Sequence, residues 1–169
     1  LALAAGSAQA AWQLDAQQSS LHFVTVKNDV VAETHSFNQL QGQWADNGQF
    51  NVEIPVQSLD TLIPIRNERM LEHLFNAKKY PAIKAAGTLD TAKITALKTG
   101  AVHQEKVELS LTLLDQTQKV TVDLSVVKLA DNRVLAYTKA PVLIKATDFK
   151  LDGGVKKLQE IAKLNRIEL

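Results

Sequence analysis

The chain has no cysteine among its 169 residues. Disulfides, iron–sulfur clusters and thiol catalysis are therefore excluded, and the fold must be held by its core and its hydrogen-bond ladder. Aromatic residues make up only 5%, and an interior poor in large rings leans slightly towards being hollow. Neither sign of charge is in excess: 19 basic side chains face 18 acidic ones, for a net charge of +1. A phosphate-binding surface shows a basic surplus or a basic run, and the longest cationic cluster here is Lys78-Lys79. That argues against nucleic acid as a partner. No apolar run reaches the length of about 20 residues that a spanning helix needs, which argues against stable membrane insertion. What remains is 46% hydrophobic and 22% charged, the balance of one soluble globular domain with a sizeable core.

Residues 1–10, Leu-Ala-Leu-Ala-Ala-Gly-Ser-Ala-Gln-Ala, carry no charge and end in small side chains. Ala8-Gln9-Ala10 fits the A-x-A signature at the end of the apolar stretch of an export signal. The expectation is a signal-peptide remnant over 1–10, cleaved after Ala10, and a mature domain over 11–169 in the periplasm. A disordered alanine-rich tail is the alternative.

Beyond Trp12 the dominant period is two, the period of strands. Residues 20–27 read as one strand and 37–44 as a second. The turn signal Asp46-Asn47-Gly48 then leads into the alternating stretch 50–56, completing a hairpin. In 107–114, Leu109, Leu111 and Leu113 share one face against Glu108, Ser110 and Thr112. After a turn at Asp115-Gln116-Thr117, Val120, Val122, Leu124 and Val126 repeat the pattern, and Asp131-Asn132 turns the chain into a strand over 133–147. One apolar and one polar face suit antiparallel strands that cover a core on one side. Two segments carry helical spacing instead. Pro64 fits the first turn of a helix over 65–76, whose stripe is Met70, Leu71, Leu74 and Phe75. Val155, Leu158, Ile161 and Ala162 form the apolar face of a second over 155–164. The predicted architecture is all-β, an antiparallel sheet of about eight strands that closes on itself, with two short helices.

A catalytic constellation is not evident. His22, His35, His73 and His103 lie on separate elements without paired spacing, and no metal site is expected. Ser36 beside His35 is adjacent in sequence only, which does not make a nucleophile–base pair. One polar cluster stands out: Arg66-Asn67-Glu68-Arg69, then Glu72 and His73. It reads either as a solvated helix face with an Arg69–Glu72 pair, or as a polar rim anchoring a ligand head group.

Residues 66–81, Arg-Asn-Glu-Arg-Met-Leu-Glu-His-Leu-Phe-Asn-Ala-Lys-Lys-Tyr-Pro, come after Ser58-Leu59-Asp60-Thr61. This stretch resembles the central motif of the YceI-like family: S-[IVL]-[DN]-T, then R-[ND] opening a helix with leucine and phenylalanine, then K-[YF]-P. Trp12-x-Leu14-Asp15, Ser20-x-x-Phe23 and Phe37-x-x-Leu40-x-Gly42 match its opening, so the resemblance covers nearly the whole mature chain. It implies a lipocalin-like, eight-stranded barrel in the periplasm of Gram-negative bacteria, holding an isoprenoid or similar amphiphile inside. It also implies a link to stress responses, leaves room for a homodimer, and brings no established catalytic activity. The chain departs from the family pattern at Asp148-Phe149-Lys150-Leu151-Asp152-Gly153. The implied final strand is barely begun at Arg166-Ile167-Glu168-Leu169.

The main expectation is thus a non-enzymatic carrier that binds an isoprenoid lipid, a quinone among the candidates, with no other cofactor. Its candidate lining is Leu21, Phe23, Val52, Ile54, Leu109, Leu111, Leu113, Val122, Leu124 and Ile144. Met70, Leu74 and Phe75 would cover one end, with Arg66 at the rim. Two alternatives stay open: a stress-induced interaction protein with a filled barrel, and an enzyme acting on an amphiphile through Arg66, Glu68 or His73.

Overall fold

The computed structural model describes residues 12–168; the signal-peptide expectation for 1–10 lies outside the described residues. In chain order the strands are β1 (Trp12–Gln13), β2 (Leu21–Lys27), β3 (Val31–Phe37), β4 (Gln41–Trp44) and β5 (Gln49–Pro55). They continue with β6 (Leu59–Asp60), β7 (Ala82–Thr88), β8 (Val102–Leu113), β9 (Gln116–Lys128) and β10 (Val134–Thr138). The helices are α1 (Pro64–Arg69), α2 (Thr91–Thr95) and α3 (Asp152–Ala162), with a π-helical turn at Met70–Leu74 continuing α1. Seven strands form one sheet in the order β1-β4-β5-β7-β8-β9-β10, and β2-β3-β6 form a second. Every strand pairing is antiparallel. The large sheet curls into a half-barrel of lipocalin-like type. Eight of these strands have four or more residues, which agrees with the expected all-β architecture.

The longest ladder coincides with the clearest alternation. Strands β8 and β9 pair along their length, with Val107 opposite Val122 and Leu109 opposite Val120. The turn between them falls at Leu114-Asp115, one residue earlier than the polar run Asp115-Gln116-Thr117 suggests, with Leu114 in the left-handed region at φ 53°. Strand β3 has no counterpart among the expected strands, because its inward positions mix Glu33 and His35 with Val31 and Phe37, which blurs the period. The strand expected over 133–147 ends at Thr138, and residues 139–145 are irregular. At Gly48 (φ 88°) a Cβ would sit 2.4 Å from the Leu89 carbonyl oxygen, so the β4–β5 turn tolerates only glycine there.

The helix stripe packs as expected, with one change of geometry. The Phe75 amide donates to the Met70 carbonyl at 3.0 Å, an i to i+5 bond that inserts an extra residue into the last turn. Met70 and Phe75 are both buried as a result. No side chain caps the N-terminus of α1. Instead the Asn67 Oδ1 accepts the Thr61 amide at 2.8 Å, tying the helix to the segment before it.

Buried side chains form two clusters. One holds Phe37, Ile54, Met70, Phe75, Ile83 and Leu113 between the two sheets. The other holds Trp44, Leu89, Ile94, Val107, Val122 and Val126. Ile94 of α2 is 0% exposed and closes the second. The last described residues run antiparallel beside β2: Ile167 bridges Lys27, and the Glu168 amide donates to the Val26 carbonyl at 2.9 Å.

Helix α3 reaches the π-helical turn backbone to backbone. A Cβ on Gly154 would lie 2.5 Å from the His73 carbonyl oxygen, whereas one on Gly153 would meet nothing within 4 Å. Gly154→Ala should therefore cost about 1–3 kcal/mol by overpacking. Gly153→Ala should be neutral or stabilise by up to about 1 kcal/mol through helix propensity. Urea unfolding of the two variants measures this opposite sign.

Candidate ligand-binding interior and its polar mouth

The inner face of the large sheet is mostly apolar and unevenly covered; half-buried His103, Glu105 and Gln118 stand on it in register with Val126, Leu124 and Leu111. Ile54, Ile83 and Leu113 are buried at one end, and Trp44, Val107, Val122 and Val126 at the other. Between them, one row crosses four strands as Gly42, Val52, Ala85 and Leu111, all half-buried. The neighbouring Phe50, Gly87, Leu109 and Val120 are half-buried too. Neighbouring side chains fill the space beside the glycines: a Cβ on Gly87 would meet the Phe50 ring at 2.8 Å, and one on Gly42 would meet Leu14 at 3.2 Å. Row and neighbours form a half-buried apolar band between two packed clusters, the kind of surface that costs free energy when left to water.

Strands β2 and β3 form the facing wall, and their paired residues grade from apolar to charged. Leu21 pairs with Phe37, Phe23 with His35, Thr25 with Glu33 and Lys27 with Val31. Phe23 stacks on Phe37 at 5.4 Å between centroids, and Phe37 meets Phe75 edge-on at 5.8 Å. One residue pair further along, polar groups take over. Glu33 accepts from Lys27 at 2.8 Å and from Arg66 at 2.9 Å. Hydrogen bonds from these two cations hold the Glu33 carboxyl below the usual carboxylate range. Arg66 also donates to the Thr61 carbonyl, so this one guanidinium staples the α1 entry to β3. The segment it fixes is unusual. Leu62 sits at φ 63° and is 84% exposed, its amide bonded to the Asp60 carboxylate at 2.7 Å. Ile63 and Ile65 beside it are exposed as well.

His35 lies at the boundary between the two regimes. It is 3% exposed, with Nε2 at 3.0 Å from the Thr25 hydroxyl and Phe23 against its ring at 5.1 Å. Burial, reinforced by Arg66, pushes its pKa down, so the imidazole is neutral at pH 7.

The sequence-derived lining maps onto this interior with one exception. Ile54, Met70, Phe75 and Leu113 are buried in the first cluster, and Leu21, Phe23, Val52, Leu74 and Leu111 pack against it. Val122 is buried in the second, with Leu109 and Leu124 packed on it. Arg66 stands at the mouth. Ile144 does not join them: with the last strand ending at Thr138, it is 42% exposed in an irregular stretch and packs on neither cluster. Lys27 and Glu33 form one polar cluster with Arg66, and Thr25 and His35 lie next to it on the same strands, although sequence reasoning does not single them out. The signal that points to them is the pairing of polar residues at alternate positions of two adjacent segments, 21–27 and 31–37.

The enzyme candidates do not assemble. Glu68 is exposed, Arg66 pairs with Glu33, and Glu72 lies 3.8 Å from His73 rather than against Arg69. His22, His35, His73 and His103 stand on β2, β3, the π-helical turn and β8. Among the described residues no group of three His, Cys, Asp or Glu could hold a metal ion. A surface groove of about 390 Å³ mixes polar and apolar lining, with Leu14, Leu40 and Gly42 beside Gln41, Gln43 and Glu53.

Fold and site together define a lipocalin-like antiparallel β-structure with an apolar interior and a charged mouth. The sequence pattern of the YceI-like domain matches residues 12–169, and the chain belongs to that family. Among solved structures, a polyisoprenoid-binding domain from Saccharophagus degradans, implicated in plant cell wall breakdown, is 32% identical with a TM-score of 0.92. The match covers 95% of this chain and 92% of that one. BcnA of Burkholderia cenocepacia is 22% identical with a TM-score of 0.66, over 87% and 90% of the two chains. The Campylobacter jejuni YCEI protein is 18% identical with a TM-score of 0.54, over 83% and 84%. These last two share the fold. No curated protein sequence matches the chain. Among the described residues no helix is long and apolar enough to cross a membrane.

The depressed His35 pKa carries a sign for stability. Above the unfolded-state value of about 6.5 both states are neutral and the native state is unpenalised. As pH falls from there towards the folded-state pKa, the unfolded chain binds a proton that the native state refuses, and stability is lost. Unfolding free energy should therefore fall as pH drops below about 6.5, and His35→Phe should flatten that part of the profile. Urea titrations across this range, wild type against variant, check the prediction.

Proposed function

We propose that this protein is a non-catalytic carrier or buffer of an isoprenoid or similar long-chain amphiphile, working in the periplasm. The observation that carries the reading is the half-buried apolar band running through Val52, Ala85 and Leu111 between two packed ends. Apolar side chains facing inward yet incompletely covered are what an elongated apolar guest would cover. The relative described as a polyisoprenoid-binding domain supports the same ligand class, and a ubiquinone is one such lipid. Burying a methylene contributes roughly 0.8 kcal/mol, so about ten buried carbons bring on the order of 8 kcal/mol, enough for roughly micromolar binding before ordering costs. Scattered carboxylates and histidines that stand on separate elements fit binding better than turnover. The A-x-A stretch over residues 8–10 supports export.

A packed interior without a guest is the competing reading, favoured by the two closed clusters. Ala85→Phe separates the two, because a ring placed in the middle of the band occupies the space a guest needs. Fluorescence titration with a polyprenyl probe should show micromolar or tighter binding to the wild type and a loss of at least about tenfold in the variant. Cooperative melting of Ala85→Phe confirms that it is folded. Equal binding by both proteins, or binding by neither, would contradict the carrier reading.

A further inference from the structure

Strand β10 leaves β9 part-way along, with much of the edge of β9 still ahead of it. Its pairs run from Val134 opposite Lys128 to Thr138 opposite Leu124, and the Lys139 amide makes the next bond, to the Asp123 carbonyl at 3.0 Å. Among the described residues, 140–144 then make no backbone hydrogen bond. Val142, Leu143 and Ile144 are exposed there, Leu143 at 91%. Further on the chain is tied down again: the Asp148 carbonyl accepts from the Gln118 side chain at 2.9 Å, and Phe149 is buried in the first cluster. The stretch is an apolar strap, anchored at both ends along β9 and unattached in its middle.

One residue accounts for the break. In an antiparallel strand the backbone groups of alternate residues point to the same edge. Asp123 turns its carbonyl towards β10, so Thr121 and Lys119 present their backbone groups on that side too, where no described backbone group pairs with them. Continued in the same register, residue 141 comes opposite Thr121 and residue 143 opposite Lys119. Residue 141 is proline, which has no amide hydrogen to donate, so the ladder fails at the first rung after Lys139. Leu143, the donor of the following rung, is intact. The register also fixes the faces, because directly opposed residues share one. A continued strand sets Ala140 beside Val122, Val142 beside Val120 and Ile144 beside Gln118 on the inner face, and turns Leu143 outward with Lys119.

We propose that residues 139–145 form a strap with two positions: open, as in this structure, and closed, zipped onto the edge of β9 at 119–121 with Val142 laid on the inner face. A guest along the half-buried band favours the closed position, because Val142 and Ile144 then have apolar surface to cover. This rests on the carrier reading above and adds a moving part to it. Pro141 keeps the closed position from being permanent, so that a guest can leave.

The chain has no cysteine, so a disulfide between two introduced ones reports their approach alone. In the closed register 120 and 142 are a non-hydrogen-bonded pair with Cα atoms about 4.5 Å apart, a separation that a disulfide spans. Val120→Cys/Val142→Cys is oxidised with and without polyprenyl phosphate, whose binding is read by native mass spectrometry of the same samples. Val120→Cys/Leu143→Cys is the control, its second thiol facing outward. With lipid bound, the first pair should cross-link at least about tenfold faster than the control and faster than it does without lipid. Pro141→Ala, at an exposed position, restores the missing donor and should slow hydrogen exchange at the Leu143 amide about fivefold without any lipid. Equal rates for the two cysteine pairs, a rate for the first pair that bound lipid leaves unchanged, or unchanged exchange at Leu143 in Pro141→Ala overturns the strap and leaves the carrier reading standing. A protein that takes up no lipid overturns the carrier reading and the coupling of strap to guest together.

Discussion

The β8–β9 ladder is the constraint on which the rest of this structure depends. Its register, Val107 opposite Val122 through Leu113 opposite Gln116, fixes which side chains look inward over the full length of the interior. A one-residue slip would turn the inward leucines and valines of the hairpin outward. Because the two strands are long, they reach both buried clusters, supplying Leu113 to one and Val107, Val122 and Val126 to the other. The half-buried band lies between those anchors on the same strands. Stability and a half-buried apolar surface therefore come from one element, packed at its ends and partly exposed in its middle.

The second wall works by grading polarity instead. Along β2 and β3 the inward pairs change from Leu21 and Phe37 to Lys27 and Val31 within a few residues. A charged group at the dry end would face a desolvation cost of several kcal/mol per ion, so the charges cluster where water still reaches them. Glu33 is the pivot, compensating both Lys27 and Arg66. Through Arg66 it also holds the Thr61–Ile65 segment, in which Leu62 adopts a left-handed backbone while exposed to solvent. That combination disfavours folding locally, and it persists because Asp60, Asn67 and Arg66 all bind the same short stretch.

Regions with clean periodicity are legible from sequence, and regions that mix polarity are not. The β8–β9 hairpin, the β4–β5 turn at Gly48 and the Met70–Phe75 stripe can be read directly from residue pattern, because in each a single physical demand dominates. Strand β3 is illegible because Glu33 and His35 occupy inward positions that a core strand would give to apolar residues. Those same two residues are the ones that make the mouth polar, so the pattern breaks where the candidate site lies. Ile144 departs from expectation for a different reason. The segment 142–144 is apolar enough to read as strand, but the pairing with β9 stops at Thr138 opposite Leu124, and without a ladder its side chains have no fixed inner face. The π-helical turn has no sequence signature to find.

The carrier account makes one central claim: the band through Val52, Ala85 and Leu111 is covered by a lipid tail. Native mass spectrometry of the protein purified without detergent, then organic extraction and identification of the released material, tests it most directly. The account predicts a stoichiometric adduct that yields an isoprenoid lipid on extraction. A bare polypeptide mass that stays unchanged after incubation with ubiquinone and polyprenyl phosphate would contradict it, and would leave a filled barrel whose role is played at its surface.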